Sequence, residues 1–381
     1  MHYSRSRWPR QLRLFLIILA CVGTVTLTGK FIWNQRHQVA KPMVTTTKVT
    51  KPHVKPKPLA KPAPLTTIVK NPKLDHYLTQ LHFSGTALIV RNHQVILRKA
   101  YGLRNRNQHL ANQLNTPYYI GSTEKALIAT AILQLQTAGK LKINAPIKTY
   151  FPKFPNGQSI KLKNLLTHTS GLTGHQEVNA AITPAALLHD IEKQGVQAQP
   201  GRWHYLDSNY TVLAYLVEKL SGETLDHYLQ QHIFKPAKMT TTLTYQAFAK
   251  AKQRSTGYRL TNGQYTTPSL PDLSQLYGVG NIAMTVTDMY RFDQALMTNR
   301  LITKAARKQM LTAGSASGYG MGFYADPGAY NSHGIVSGWN ISNSFTHTGK
   351  TYIVLMSNIQ NNISSFGLVN SHLYSLLNQA D

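Results

Sequence analysis

Two pairs of short runs rich in Val, Ile and Leu stand at opposite ends of the chain's long folded region, and the stretch between them reads mostly as helix. Residues 85–91 and 94–102 form the first pair, turned at Asn92-His93. Residues 336–345 and 351–357 form the second, turned at Thr348-Gly349-Lys350. Helical patterns occupy 72–81, 124–137, 183–194, 209–220 and 364–378. Strands at both ends with helices between them predict one α+β unit: an antiparallel sheet built from both chain ends and flanked by helices, with a mostly helical subdomain from the middle. With 381 residues, 42% of them apolar, the chain is long enough to bury a large core. No internal repeat is evident.

A net charge of +27 would suit a nucleic-acid binder, so where the charge lies matters. Residues 1–70 carry 13 Lys and Arg and no acid, which concentrates the excess at the N-terminus. There, Arg5, Arg7, Arg10 and Arg13 precede an apolar run at 14–29, which Lys30 to Trp33 extend; Trp8 and Trp33 fall where an interfacial aromatic belt lies. No small-x-small cleavage site follows, so residues 1–33 are expected to be a cytoplasmic stub and a retained membrane anchor. The alternatives are a removed signal peptide and, on Ile18-Leu19-Ala20-Cys21, a lipoprotein box. Residues 34–70, with repeating Lys-Pro pairs, cannot pack a core and read as an extended spacer, either leaning on anionic polymer or lipid or simply solvated. Residues 71–381 form the folded domain. An export segment ahead of the basic tract argues against a nucleic-acid partner. The lone Cys21 permits no intrachain disulfide.

Gly121-Ser122-Thr123-Glu124-Lys125 opens a helix whose apolar residues Ile128, Ala131, Ile132 and Leu135 recur at helical spacing. Ser122 and Lys125 lie one turn apart and share a face that continues into Ile128 and Ile132, so both are expected on the buried side at the helix mouth. A lysine held out of water there is expected to lose proton affinity, and the neutral amine to take the serine proton. The helix N-terminus would offer the Ser122 N–H to a developing oxyanion. The plain alternative is a Ser cap followed by a solvated Lys. This is the only Ser-x-x-Lys in the sequence.

Further segments fall in line with it. Tyr119-Ile120-Gly121-Ser122-Thr123-Glu124-Lys125, then Leu165-Leu166-Thr167-His168-Thr169-Ser170-Gly171-Leu172, then Pro200-Gly201 leading to Tyr205-Leu206-Asp207-Ser208-Asn209-Tyr210, then the Gly-rich 278–288 follow one another in order. By these motifs, residues 74–377 resemble the serine β-lactamase and penicillin-binding-protein family, especially its class C branch. The resemblance implies a β-lactamase/transpeptidase-like fold and no cofactor. It implies that Tyr205 shares a proton with Lys125 and Ser122 and delivers it to the leaving group. The family's Tyr-x-Asn falls on Tyr205-Leu206-Asp207, with Asp in place of Asn; Asp207 or Ser208 equally reads as a helix N-cap. For the third motif, His347-Thr348-Gly349 has suitable letters but reads as a hairpin turn. Ser332-His333-Gly334 matches the family register and precedes a strand. In that register Ile335 gives the second oxyanion N–H, and Ser332 or His333 lines the cleft. His168 and His333 belong to no ligand cluster, so no metal is expected.

These groups describe acyl transfer through an acyl-enzyme on Ser122. Stem peptides and β-lactams present a carboxylate, which the family commonly meets with a cation where this chain has Ser332. A D-alanyl ester presents an ammonium instead, which Asp207 suits. The Tyr-x-Asp variant also looks like that of teichoic-acid D-alanyl esterases. The leading expectation is thus a single-pass membrane protein with an extracellular D-alanyl esterase domain acting on lipoteichoic or wall teichoic acid. The alternatives are a D,D-carboxypeptidase or weak β-lactamase acting on peptidoglycan stem peptides, and a non-catalytic protein that binds wall polymer.

Overall fold

The turn at Asn92-His93 shows why the sheet forms where it does. Both residues adopt positive φ (48° and 63°), as a two-residue hairpin of this twist requires. They join β2 (Gly85–Arg91) to β3 (Gln94–Tyr101). The computed structural model describes residues 65–379; the anchor and nearly all of the spacer therefore lie outside the described residues. Among those described, no helix is long and apolar enough to cross a membrane.

Among the described residues the main sheet has seven strands. Besides β2 and β3 they are β1 (Ile68–Val69), β4 (Tyr324–Asp326), β5 (Ala329–Val336), β6 (Trp339–Thr346) and β7 (Thr351–Ser357), in the spatial order β1-β3-β2-β7-β6-β5-β4. Every pairing is antiparallel, and β2 meets β7 along its whole length, from Gly85 opposite Ser357 to Arg91 opposite Thr351. The sheet is thus joined from the two ends of the chain. β2 and β7 are buried on both faces, so their sequences run apolar without alternation. Ala87, Ile89, Ile353 and Leu355 face α1 (Pro72–Gln80) and α7 (Phe366–Asn378), whereas Leu88, Val90, Val354 and Met356 face the helical body. Full burial of each such side chain contributes roughly 1.5–3 kcal/mol.

The expected single strand at 336–345 is two strands. Val336 ends β5, Ser337-Gly338 turn with Gly338 at φ +98°, and Trp339 begins β6. Ser332-His333-Gly334 therefore lies within a strand, where the sequence predicted a segment preceding one. His347-Thr348-Gly349 sits in the turn joining β6 to β7, with the Gly349 N–H bonded to the Thr346 carbonyl at 2.8 Å.

At the centre of the helical body is α2 (Lys125–Thr137), buried on nearly every side and packed against α5 (Asp207–Ser221). A 3-10 turn, Gly121–Glu124, precedes it, so the α-helix begins one residue later than its sequence pattern suggests. A small three-stranded sheet feeds this turn: Tyr119 pairs with Ala283, and the Ile120 N–H donates to the Ile282 carbonyl at 3.0 Å. That sheet fixes where Ser122 emerges.

Candidate active site

Ser122 and Lys125 meet at the junction of the 3-10 turn and α2. Lys125 is fully buried, and its Nζ donates to Ser122 Oγ at 2.8 Å. A second partner comes from the start of α5, where Asp207 Oδ1 lies 2.8 Å from the same amine. Burial acts to push the Lys125 amine down, but the Asp207 carboxylate and the Tyr205 phenol beside it outweigh burial, so its pKa lies above the ordinary lysine value. The sequence reading of an amine neutralised by burial is corrected here: a counter-ion holds the proton on Lys125 in the free protein.

Asp207 is the first residue of α5, and the cap position is Leu206, with no side-chain capping bond. The Ser208 hydroxyl accepts from the His175 N–H at 2.8 Å instead. Neither residue caps the helix, and the Asp207 side chain, 43% exposed, pairs with Lys125 while remaining open to solvent. The phenol ring of Tyr205 has its centroid 5.0 Å from Lys125 Nζ.

His168 holds Tyr205 from three directions. Its carbonyl accepts from the His204 N–H at 2.8 Å, its Nδ1 accepts from the Leu206 N–H at 3.2 Å, and its ring stacks on the Tyr205 ring with centroids 4.2 Å apart. Asn209 Nδ2 is a second donor near Nδ1, at 3.1 Å. Burial and the neighbouring Lys125 charge push the imidazole well below its usual pKa, which keeps it neutral. The sequence reading weighed His168 only as a metal ligand and missed this role; its place in the Leu165–Leu172 motif was the available signal.

β5 forms the opposite wall. Its pairing with β4 stops at Asn331, which leaves the edge from Ser332 to Val336 facing the nucleophile turn. The approach is close enough that a Cβ at Gly334 would come within 2.0 Å of the Ile120 carbonyl oxygen and 3.1 Å of Ser122 N. Gly121 answers from the other side with φ +52°, and a Cβ there would lie 2.7 Å from Ile335 N. The backbones at Ser122 and Ile335 are thereby brought together, the arrangement that two oxyanion donors need. Ser122, Tyr205, Ser332, His333 and Ile335 share one pocket of about 230 Å³. Tyr319, Gly322 and Tyr324 complete it; they come from a segment just before β5 that carries no recognisable pattern in the sequence. Among the described residues no Lys or Arg lines this pocket. The His333 ring turns to Asn340, with Nε2 2.6 Å from Asn340 Oδ1.

A family model described as Beta-lactamase matches residues 71–373. The chain belongs to the β-lactamase family. Within that family it is 46% identical over 383 residues to PbpX of Bacillus subtilis (strain 168), named as a penicillin-binding protein, a match covering 98% of this chain and 96% of that one. It is 31% identical over 270 residues to a teichoic acid D-alanine hydrolase of Staphylococcus aureus, covering 68% of this chain and 66% of that protein. The crystal structure of FmtA from Staphylococcus aureus superimposes with a TM-score of 0.76 at 26% identity, over 85% of this chain and 92% of that one. The α+β architecture is thus that of the β-lactamase family, and hydrolases are among its relatives.

Proposed function

We propose that this family member is a membrane-tethered serine hydrolase that removes D-alanine from the esters of a teichoic acid. The observation that carries the reading is the charge around Ser122: the buried Lys125 beside it is paired with Asp207, whose side chain is 43% exposed just outside the pocket, and among the described residues no Lys or Arg lines the pocket itself. Such a site favours an acyl group bearing an ammonium and disfavours one bearing a carboxylate. Similarity to a protein named teichoic acid D-alanine hydrolase supports the same substrate class.

The Lys125 ion pair suggests how substrate starts the reaction. A D-alanyl ammonium drawn to Asp207 competes with Lys125 for one carboxylate. With its counter-ion shared, the buried amine loses its proton more readily, because burial then dominates. Neutral Lys125 takes the Ser122 proton, and Oγ attacks the ester carbonyl. The oxyanion faces the N–H groups of Ser122 and Ile335. Tyr205 delivers a proton to the departing polymer oxygen and is reprotonated by Lys125, which carries the proton taken from Ser122, leaving D-alanyl on Ser122 and the amine neutral again. Water then cleaves that ester and releases D-alanine. His168 keeps Tyr205 in place, and Ser332 and His333 form the pocket wall. On this reading residues 1–33 anchor the protein and 34–70 hold residues 71–381 outside the cell; protease added to intact cells would then remove the domain.

Purified protein given D-alanylated lipoteichoic acid is expected to release free D-alanine, and Ser122→Ala protein to release none. Equal release by both rejects the reading. Cleavage of a stem pentapeptide or a chromogenic β-lactam in its place would mark a D,D-carboxypeptidase or weak β-lactamase. Polymer binding without labelling of Ser122 by a fluorophosphonate would mark a non-catalytic binder.

A further inference from the structure

Between the Leu165–Leu172 motif and the helix Pro184–Gln194, residues 173–182 cross the start of α5, and two clamps fix them there. At the first, Gly174 turns with φ +96° so close to Leu206 that an added Cβ would lie 2.7 Å from Leu206 Cδ1, and the His175 N–H donates to Ser208 Oγ at 2.8 Å. The His175 ring is itself held, with Nδ1 2.6 Å from Asp190 Oδ2 and Nε2 2.6 Å from Gln275 Oε1. At the second clamp, Gln275 Nε2 donates to the Ala180 carbonyl, and the Ile182 N–H donates to Ser274 Oγ at 2.9 Å. Leu206 and Ser208 flank Asp207 in the chain, so the first clamp sets the loop against the turn that carries the Lys125 counter-ion. Gln176 to Asn179, between the clamps, are exposed and bring a single charge, that of Glu177.

Among the described residues Glu177 has no ion-pair partner. Its carboxyl nonetheless senses the catalytic groups: burial and then the Asp207 charge raise its pKa above the ordinary value, while His175 and Lys125 pull it down. Counting charges shows what these surroundings lack. Lys125 brings one positive charge, which Asp207 already meets at 2.8 Å; Glu177 brings a second negative charge, and among the described residues no Lys or Arg lines the pocket. The two carboxylates repel, and a cation taken up beside them relieves both. Among the described residues no group of three or more His, Cys, Asp and Glu side chains is arranged to hold a metal ion. A pair of carboxylates suits an ammonium instead, whose three N–H donors need only a few acceptor oxygens.

We infer that Glu177 is a specificity-determining residue, which together with Asp207 receives the ammonium of an α-aminoacyl ester bound at Ser122. The inference rests on the esterase reading for its substrate. It adds a carboxylate that Lys125 does not engage, so the ammonium has a place to bind before the Lys125–Asp207 pair loosens. An acyl group without an ammonium, or one whose nitrogen is acylated, gains nothing from Glu177. The Glu177 side chain makes none of the clamp bonds, so substituting it leaves both clamps in place.

D-alanine methyl ester and methyl propionate differ only by the amino group, so the ratio of their kcat/KM values in the full-length protein reads ammonium recognition. Wild-type protein is expected to favour the D-alanine ester. Glu177→Gln is expected to lower the ratio about fivefold and Glu177→Lys to lower it further, while Glu177→Asp retains most of it. Raising salt from about 20 mM to about 500 mM should shrink the preference in the wild type and shrink it less in Glu177→Gln. An unchanged ratio in Glu177→Gln, or a loss in Glu177→Asp as large as in Glu177→Gln, overturns the inference. A ratio that persists in Glu177→Gln leaves the esterase reading standing, with Asp207 as the receiver of the ammonium. If the wild type shows no preference between the two esters, ammonium recognition fails altogether, and the D-alanyl esterase reading fails with it.

Discussion

Replacing Asp207 by Asn keeps the shape of the site and removes the counter-ion of Lys125. At the observed 2.8 Å, Coulomb's law gives about 6 kcal/mol at an effective dielectric constant near 20. The Asp207 side chain is 43% exposed, and solvent screening reduces this to about 2–3 kcal/mol. At 1.36 kcal/mol per pKa unit, the Lys125 amine should become about two units more acidic in the variant. The sign follows: if neutral Lys125 is the base, kcat/KM rises with pH as the amine deprotonates, and Asp207→Asn moves that rise to lower pH. The assay uses two esters, p-nitrophenyl propionate and a D-alanyl ester, across pH 6 to 10. On the neutral propionyl ester the variant's rising limb should appear about two units lower, with faster turnover near neutrality. On the D-alanyl ester the lost carboxylate opposes that gain, so the D-alanyl preference should fall by about tenfold or more. An unmoved limb on the propionyl ester would refute the counter-ion argument, and an unchanged preference would refute ammonium recognition by Asp207.

Gly334→Ala places a methyl where the Ile120 carbonyl and Ser122 N already stand, so β5 must retreat; kcat is expected to fall by about 10²–10³ with little change in KM, measured on the same esters. Glu124 is buried beside the nucleophile with its pKa pushed up to about 8 by burial, partly offset by the Ile282 N–H and Lys125. Between its ordinary 4.5 and about 8 the folded protein holds a proton that the unfolded chain releases, so stability drains away as pH rises; Glu124→Gln should flatten the fall in melting temperature from pH 5 to pH 8, and equal slopes would contradict this. His168→Ala strands the donors at Leu206 and Asn209, which should cost about 1–3 kcal/mol in chemical denaturation and lower kcat through a displaced Tyr205. An unchanged kcat in that variant would leave His168 with a purely structural part.

The sequence is legible where local chemistry decides the outcome. Asn92-His93 marks a hairpin because few residue pairs accept positive φ twice in succession, and the unbroken apolar runs of β2 and β7 identify strands covered on both faces. β5 escapes notice because Asn331, Ser332, His333 and Gly334 look like a loop: a strand with a free edge and a polar groove behind it needs no apolar alternation. The break at Ser337-Gly338 is hidden between Val336 and Trp339, whose side chains suggest one continuous strand. Ser122 and Lys125 were readable as a pair because a single helical turn relates them. The protonation of Lys125 was not, since its partner Asp207 arrives from another helix and only the folded chain brings the two to 2.8 Å. Tyr319 and Tyr324 were equally hidden, as they reach the pocket through a stretch without periodicity.

Because the second strand of the sheet finds its long-range neighbour in the seventh, the polypeptide cannot close its central seam until residue 357 has been made and is free to pair. Nearly everything needed for chemistry lies between those two strands, so the seam they form frames Ser122, Lys125, Asp207 and Tyr205 from outside their own stretch of sequence. A chain shortened just before position 351 would leave the first hairpin with an open flank and would cut β5 and β6 off from it, since β7 is the strand that joins them. The β7 strand therefore holds the two halves of the sheet together, and a variant unable to pair Thr351–Ser357 with Gly85–Arg91 is expected to lose the hydrolase site although no residue of that site has changed.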